Sequence, residues 1–438
     1  MGVVPKRNPG EFRMIHNLSY PEGASINSGI PSEFSQVSYA SIQDAIRYIK
    51  QAKSTIYLGK MDVESAFRII PICPQDRPLL GFHWEGKFYM DAVLPMGCSS
   101  SCQIFETFST ALEWIAKTKL GAAGVVHMID DFLFMAPSKE KCALDMRKFA
   151  EMCEGSGIPL APDKTVGPDT TLPFLGITLD TVSMEARLPE DKLTDCRSIL
   201  SEFLSREKVT LKELQRLIGI LNFACSVIIP GRCFLRRLID LTTGVRKPYH
   251  RVRLNKPVKL DLELWLTFLA EYNGISFFLD QEFLSGDYLR LYTDSAGKIG
   301  YGALFGKQWF CGRWPESWLG YNISTLELYP IVAAVATWGH EWANKSICFY
   351  TDNIALVSII NKQTSRDPNI MSLVRKLVLI CLGLNILFTA HHVLGRNNTL
   401  ADKLSRFQMK EFHALAPWAD HHPTQVPRWI SPEILEKL

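Results

Sequence analysis

Val125-Val126-His127-Met128-Ile129-Asp130-Asp131-Phe132-Leu133-Phe134-Met135 is apolar throughout except for His127 and the pair Asp130-Asp131. That pattern predicts a buried β-hairpin with two acids at its turn. A third acid, Asp62, closes the apolar stretch Thr55 to Val63, which reads as a strand ending in Asp62-Val63-Glu64-Ser65. A lone carboxylate in such a setting costs on the order of several kcal/mol unless it is paired or bound to a cation. Lys60 and Arg68 flank Asp62, but the hairpin holds no Lys or Arg. Pairing within the segments is therefore insufficient, and a divalent metal site is expected. Mg²⁺ prefers one or two carboxylates plus substrate phosphates, and two such ions about 4 Å apart can activate a hydroxyl and stabilise a leaving oxygen. Taken alone, Asp130-Asp131 also reads as a polar turn between two strands.

Outward from the hairpin, Ser41 to Ala52, Cys102 to Ala116 and Lys139 to Gly155 carry helical spacing of apolar residues. Phe174 to Leu188 reads as a short hairpin. From about Glu190 to Leu241 the periodicity is helical with no strand signal, which predicts a separate small helical unit. The remainder has a regular order: strands at Leu289 to Asp294, Gly300 to Phe305 and Gln308 to Arg313, then a helix at Leu326 to Ala343. A strand at Ser346 to Thr351, helices at Ile354 to Lys362 and Ile370 to Leu382, a strand at Ile386 to Val393 and a helix from Thr399 complete it. With the two middle helices counted as one layer, the order is βββαβαβα, an α/β domain of about 120 residues.

This second region has its own acids. Asp294 is placed at the end of the first strand, Asp352 at the end of the fourth, Glu327 in the first turn of the long helix and Asp402 in the last helix. Acids at neighbouring strand ends and on helices can converge on a metal pair. Glu327 has a specific alternative, because Ser324-Thr325-Leu326-Glu327 is a capping-box pattern.

The surroundings of the first acids resemble reverse transcriptases. Lys60 to Phe67 is similar to their first catalytic motif, Leu94-Pro95-Met96-Gly97 to their template-proximal turn, and His127 to Phe132 to their tyrosine-x-Asp-Asp signature. Phe174-Leu175-Gly176 resembles the primer-grip approach, and Leu188 to Lys192 the start of the thumb. The resemblance implies a metal triad of Asp62, Asp130 and Asp131, with the Val63 carbonyl as a further metal contact. It implies Phe67 as the aromatic gate beneath the sugar, where a core aromatic is the plainer reading. Arg13 and Lys6 would hold the triphosphate, and Lys164 would donate a proton to pyrophosphate. Two departures stand out: Met128 replaces the signature tyrosine and Met96 the usual glutamine.

Tyr292-Thr293-Asp294, Glu327, Thr351-Asp352-Asn353 and Asn398 to Asp402 resemble RNase H in order and placement. That implies Asp294, Glu327, Asp352 and Asp402 as metal ligands and His392 as the mobile histidine of product release, with His391 a neighbour of similar claim. The wording of Gly10 to Gly23 and of Val393 to Arg406 resembles tyrosine-recombinase retrotransposons of the DIRS group. No protease, integrase or recombinase motif is found. The chain starts almost at the triphosphate-binding strand, where most relatives carry more fingers sequence. It therefore reads as a truncated frame or one whose remainder lies elsewhere.

The expected fold is α/β and multidomain, a right-hand polymerase followed by an RNase H-like domain. Fingers and palm span 1–188, a helical thumb 189–262, a connector 263–285, RNase H 286–410 and a C-terminal tail 411–438. The expected cofactor is Mg²⁺, two ions per active site, with Mn²⁺ as an alternative. Expected partners are an RNA template, a DNA primer, RNA–DNA hybrid and dNTPs. A non-catalytic nucleic-acid-binding relic should have lost some of the seven carboxylates, and all are present. A host-adopted or truncated retroelement protein that keeps one activity or neither is the alternative.

Composition fits this reading. Of 438 residues, 47% are hydrophobic and 21% charged, an ordinary globular balance that excludes a disordered chain. The longest apolar stretch, Leu377 to Phe388, is broken by Gly383 and Asn385 and is shorter than the roughly 20 residues of a membrane span. No basic, apolar, small-residue sequence is read at its start, so no signal peptide is expected, and the 11 scattered cysteines suggest buried thiols in a reducing compartment. An intracellular site, cytoplasm or nucleus, is expected. Net charge is only +3, but Arg232 to Lys259 holds nine Lys or Arg against Asp240. Such a run is a candidate phosphate contact or a solvated surface.

Overall fold

Alternating and continuous apolar runs build the first sheet. The strands that form ahead of it are β1 (Gly2–Pro5) and β2 (Phe12–Ile15), an antiparallel pair. Helix α1 (Ile42–Gln51) buries Ile42, Ala45, Ile46 and Ile49 at helical spacing, and Asp44 accepts from the Ser41 N–H at its start. Strand β3 (Tyr57–Asp62) follows, then a hairpin of β4 (Gly81–Trp84) and β5 (Lys87–Met90). Helix α2 (Ser101–Thr118) leads to the acid hairpin, β6 (Val125–Met128) and β7 (Asp131–Ala136). After α3 (Lys139–Gly155), β8 (Val166–Asp169) closes an antiparallel sheet of order β6-β7-β3-β8. Phe132 to Ala136 are all buried, and Phe132 and Phe134 share one core with Met61, Phe105 of α2 and Phe149 of α3. Strand alternation turns Lys60 and Asp62 away from the face that carries Met61.

The short hairpin expected at Phe174 to Leu188 is instead a three-stranded meander: β9 (Thr171–Phe174), β10 (Ile177–Asp180) and β11 (Glu185–Arg187). This computed structural model describes residues 2–435 except 6–9, 11, 53, 272–288, 290, 344, 385 and 393–397. Two compact units divide the chain, with the boundary between Pro189 and Glu190.

In the second unit, α4 (Glu190–Ser205), α5 (Leu211–Ala224), α6 (Arg236–Asp240) and α7 (Lys256–Glu271) supply the expected helices. Two details differ from expectation. A strand, β12 (Lys208–Thr210), interrupts the helical stretch and pairs with β13 (Arg251–Arg253). Three residues carry too little periodicity to be read, and the partner that makes them a strand lies some forty residues on. Helix α7 also runs through position 262, where the thumb was expected to end, so that boundary falls inside one continuous helix.

The βββαβαβα order is present. Strands β14 (Leu291–Ala296), β15 (Gly300–Phe305) and β16 (Gln308–Arg313) form an antiparallel sheet. Helix α8 (Ile323–Trp338) ends in a 3₁₀ turn over Gly339–Trp342. Strand β17 (Ser346–Thr351) pairs in parallel with β18 (Leu387–His392), connected through α9 (Ile354–Lys362) and α10 (Pro368–Gly383). Asp294 thus lies within its strand and not at its end. Helix α11 (Thr399–Ser405) packs on β14 and β15, and α12 (Met409–Leu415) follows.

Of the stretch 411–438, expected as an uninformative tail, the described residues 411–435 are part of this unit. Phe412, Ala416 and Ala419 are buried in one core with Leu304, Trp309 and Leu404. The Trp309 indole donates to the Asp420 carbonyl at 2.6 Å. All eleven cysteines are free thiols, and Cys142, Cys153, Cys196, Cys225, Cys233, Cys348 and Cys381 are buried. Among the described residues no helix is long and apolar enough to cross a membrane.

Candidate active sites

The β3–β7 register sets Asp62 directly opposite Asp131. Asp130 stands on the turn between β6 and β7, and its carbonyl accepts from the Val63 N–H at 2.9 Å. Three acids separated by up to 69 positions thus share one end of one sheet. Burial, and then the charges of Asp62 and Asp131, hold the Asp130 carboxyl above the usual range. Burial also raises Asp131, with Lys60 only partly offsetting it.

The counter-charges are a correction to the sequence reading. Lys60 Nζ lies 3.0 Å from Asp131 Oδ1, and Lys164 Nζ donates to Asp62 Oδ1 at 2.8 Å. Arg68 pairs with the buried Asp91 at 2.6 Å, not with Asp62. Asp131 of the hairpin therefore has a cation from the neighbouring strand, and Asp62 has one from a distant loop. Burial works against the Lys164 ammonium, but its bond to Asp62 and the fields of Asp130 and Asp131 outweigh that and raise it.

The other nucleotide-binding candidates surround this end. Phe67 lies half-buried in a 3₁₀ turn, edge-on to Phe105 with ring centroids 5.5 Å apart. It therefore also serves the core, the plainer reading of that residue. Arg13 is exposed on β2, and Lys6 lies outside the described residues. Val63 is buried beside the acids. Gly97 adopts φ +119°, and a Cβ there would sit 2.0 Å from the His16 carbonyl oxygen, so only glycine fits this turn. Met128, in the signature tyrosine's place, pairs with Asp131 across the hairpin. Ile129 at the turn has φ +56°. For a β-branched residue that conformation costs about 1–3 kcal/mol and persists only if its surroundings enforce it.

In the second unit, burial raises the Asp294 carboxyl, as do the charges of Asp402 and Asp352, against an opposing hydrogen bond from Ser405. That Ser405 hydroxyl donates to Asp294 Oδ2 at 2.6 Å, and Arg406 Nε donates to Asp402 Oδ1 at 2.6 Å. Glu327 is pushed up to about 7, first by burial and then by Asp352 and Asp294, despite a hydrogen bond with Asn353. The four acids therefore share one electrostatic neighbourhood. The capping-box reading of Glu327 is overturned. The cap is Asn322, whose side chain accepts from the Ser324 N–H at 2.9 Å, and the helix starts at Ile323. Glu327 lies beyond the cap, with Oε2 buried and lacking a hydrogen-bond partner. His392 is exposed at the end of β18, in register with Thr351, the residue before Asp352. His391 is in register with Tyr350, their rings 6.4 Å apart.

Hard oxygen donors suit Mg²⁺ or Mn²⁺ in both places, and the buried Glu327 Oε2 lacks a hydrogen-bond partner. Among the described residues, however, no three His, Cys, Asp or Glu groups stand ready as a metal cage. Lys60 and Lys164 occupy oxygens of the first set, and Ser405 and Arg406 those of the second. The donor chemistry fits a divalent ion provided those donors yield. Ser405, Arg406 and Asn353 lie inside stretches that carry the family resemblances, but no role at the site was legible for them in the sequence.

Residues 4–179 match the family described as reverse transcriptase (RNA-dependent DNA polymerase). The chain is 24% identical over 384 residues to the enzymatic polyprotein of Cestrum yellow leaf curling virus, covering 82% of this chain and 55% of that protein. It is 21% identical over 374 residues to the transposon Tf2-3 polyprotein of Schizosaccharomyces pombe, covering 81% of this chain and 25% of that one. The chain thus spans about half the length, or less, of these relatives. Among solved structures, a foamy viral protease-reverse transcriptase in complex with double-stranded DNA superposes with TM-score 0.50 at 18% identity. That superposition covers 90% of this chain and 77% of the other. At such identity the likeness concerns fold alone: a polymerase with a further domain after it.

Proposed function

We propose that this chain copies RNA, and DNA, into DNA, because residues 4–179 match the reverse transcriptase family and the chain is similar to viral and transposon polyproteins. We propose further that its second unit cleaves the RNA strand of RNA–DNA hybrids. One observation carries the first reading: the β3–β7 register that opposes Asp62 to Asp131, with Asp130 on the adjoining turn. Asp62, Asp130, Asp131 and the Val63 carbonyl would hold Mg²⁺ or Mn²⁺. Bound there, the ions supply activation of the primer 3′-hydroxyl and charge neutralisation on the triphosphate. Phe67 would sit beneath the sugar and exclude a 2′-hydroxyl by bulk, and Arg13 and Lys6 would bind the triphosphate. Lys164, which donates to Asp62 at 2.8 Å, would donate a proton to pyrophosphate. The hybrid-cleavage reading is supported by the shared field of Asp294, Glu327, Asp352 and Asp402, with His392 assisting product release.

The test is primer extension on an RNA template with Mg²⁺, comparing the parent chain with Asp131→Asn. Loss of a preorganised electrostatic group costs about 10²–10³-fold or more, so the variant is expected to make almost no DNA while still cleaving labelled hybrid. Extension by Asp131→Asn at near the parental rate would remove the polymerase assignment.

A further inference from the structure

Helix α2 presents Glu106, Ser109 and Glu113, spaced three and four residues apart, on one face toward the acid hairpin. Both backbone groups of Ile129 end on that face. Its N–H donates to Glu106 Oε2 at 2.9 Å, and its carbonyl accepts from the Ser109 hydroxyl. The next residue is Asp130. His127, buried and stacked on Phe132 at 5.4 Å, lies between two carboxylates. Its Nε2 is 3.3 Å from Glu106 Oε1, and its Nδ1 bonds Glu113. Lys117 pairs with Glu113 from the solvent side.

Buried charged groups of this kind are not needed to fill a core, and a buried carboxylate is tolerated only when fully partnered. Here the partner is a strained turn. The positive φ of Ile129 is disfavoured for a β-branched side chain, and relaxation of that turn would move Asp130 and Asp131. A hydrogen bond that a backbone N–H donates to a carboxylate oxygen is stronger than a neutral one. The other oxygen of the same carboxylate lies 3.3 Å from His127 Nε2, and Glu113 holds the opposite nitrogen of that ring.

We propose that Glu106 is a positioning residue for DNA synthesis. It clamps the backbone of Ile129 so that the catalytic acids keep their places. This rests on the polymerase reading above. The group touches neither substrate nor the reacting atoms, so its effect should appear in turnover and not in nucleotide affinity.

The test is steady-state primer extension by the full chain, reading kcat and KM for dNTP beside thermal melting. Glu106→Ala is expected to lower kcat about 10²-fold, the scale of a small misplacement of catalytic groups, with KM for dNTP changed by less than about threefold. Glu106→Gln keeps an acceptor for the Ile129 N–H and should recover most of that loss. In an Ile129→Gly background the turn takes positive φ without strain. Removing Glu106 there should cost several-fold less, a coupling that a double-mutant cycle reads directly. An equal loss in both backgrounds, or a Glu106→Ala kcat within about threefold of the parent, overturns the inference. Should Glu106→Ala not fold, Glu106→Gln against the cycle partner Ile129→Gly decides it: near-parental kcat supports the clamp, and a 10²-fold loss overturns it. A parent chain that extends no primer overturns the polymerase reading itself, and this inference with it.

Discussion

Glu327 combines burial with two nearby acids, and protonation relieves both the buried charge and the repulsion. Its carboxyl titrates at about 7 in the folded chain against an ordinary 4.5. The folded state therefore binds this proton more tightly than the unfolded state. The stabilisation is fully present below about 4.5 and is lost as pH rises through about 7. In EDTA, the parent's melting temperature is expected to fall across that window relative to Glu327→Gln, which does not titrate. Melting curves that run parallel with pH for both proteins would contradict the assignment. The same substitution should lower hybrid cleavage by about 10², since an amide is a poor ligand for a hard cation, and should leave DNA synthesis intact. Asn322, not Ser324, caps the helix, so loss of the carboxylate removes no cap.

The β12–β13 ribbon shows how an element reassigns a charge run. Of the basic residues between Arg232 and Lys259, Arg236 pairs with Asp240, Arg237 with Asp261, and Lys259 donates to the Leu204 carbonyl. Arg246, Lys247, Arg251, Arg253 and Lys256 are exposed. Lys208, from a different stretch of sequence, stands directly opposite Arg253. Like charges facing across a strand pair are destabilising, and a polyanion would offset that cost. Neutralising Arg246, Lys247, Arg251 and Arg253 together is expected to weaken hybrid binding. Each lost phosphate contact should flatten the log–log salt slope by about 0.7–0.9. Substituting Arg236 and Arg237 instead should leave the slope unchanged, because those side chains are already paired. A slope unaffected by the first set would make the ribbon a solvated surface.

At the scale of the whole molecule, each acid cluster belongs to one compact unit: Asp62, Asp130 and Asp131 to the first, Asp294, Glu327, Asp352 and Asp402 to the second. That separation is why substitutions in one cluster are expected to spare the activity of the other. The second unit extends past residue 410. Phe412 is fully buried against Trp309, with ring centroids 5.5 Å apart. Phe412→Ala should therefore destabilise this unit by about 3–5 kcal/mol, seen as a lower denaturant midpoint with loss of hybrid cleavage. A midpoint equal to the parent's would mean that the segment after 410 is an appendage.

The sequence by itself determined the acids and the elements that bear them. Periodicity and capping chemistry are local, so helix α3 and strands β15 to β17 lie where their residues place them. The motif spacing likewise placed Asp62 and the Asp130-Asp131 pair at strand ends. What only the tertiary structure decided is who partners whom. Lys164 meets Asp62 across 102 positions, Ser405 meets Asp294 across 111, and β12 exists only because β13 pairs with it. Glu327 lost its capping role to Asn322 because the helix began one residue ahead of the motif. The reason is physical: a side chain's face follows from its immediate neighbours in sequence. Its ion pair, burial and proton affinity depend instead on groups that folding alone brings within a few ångströms.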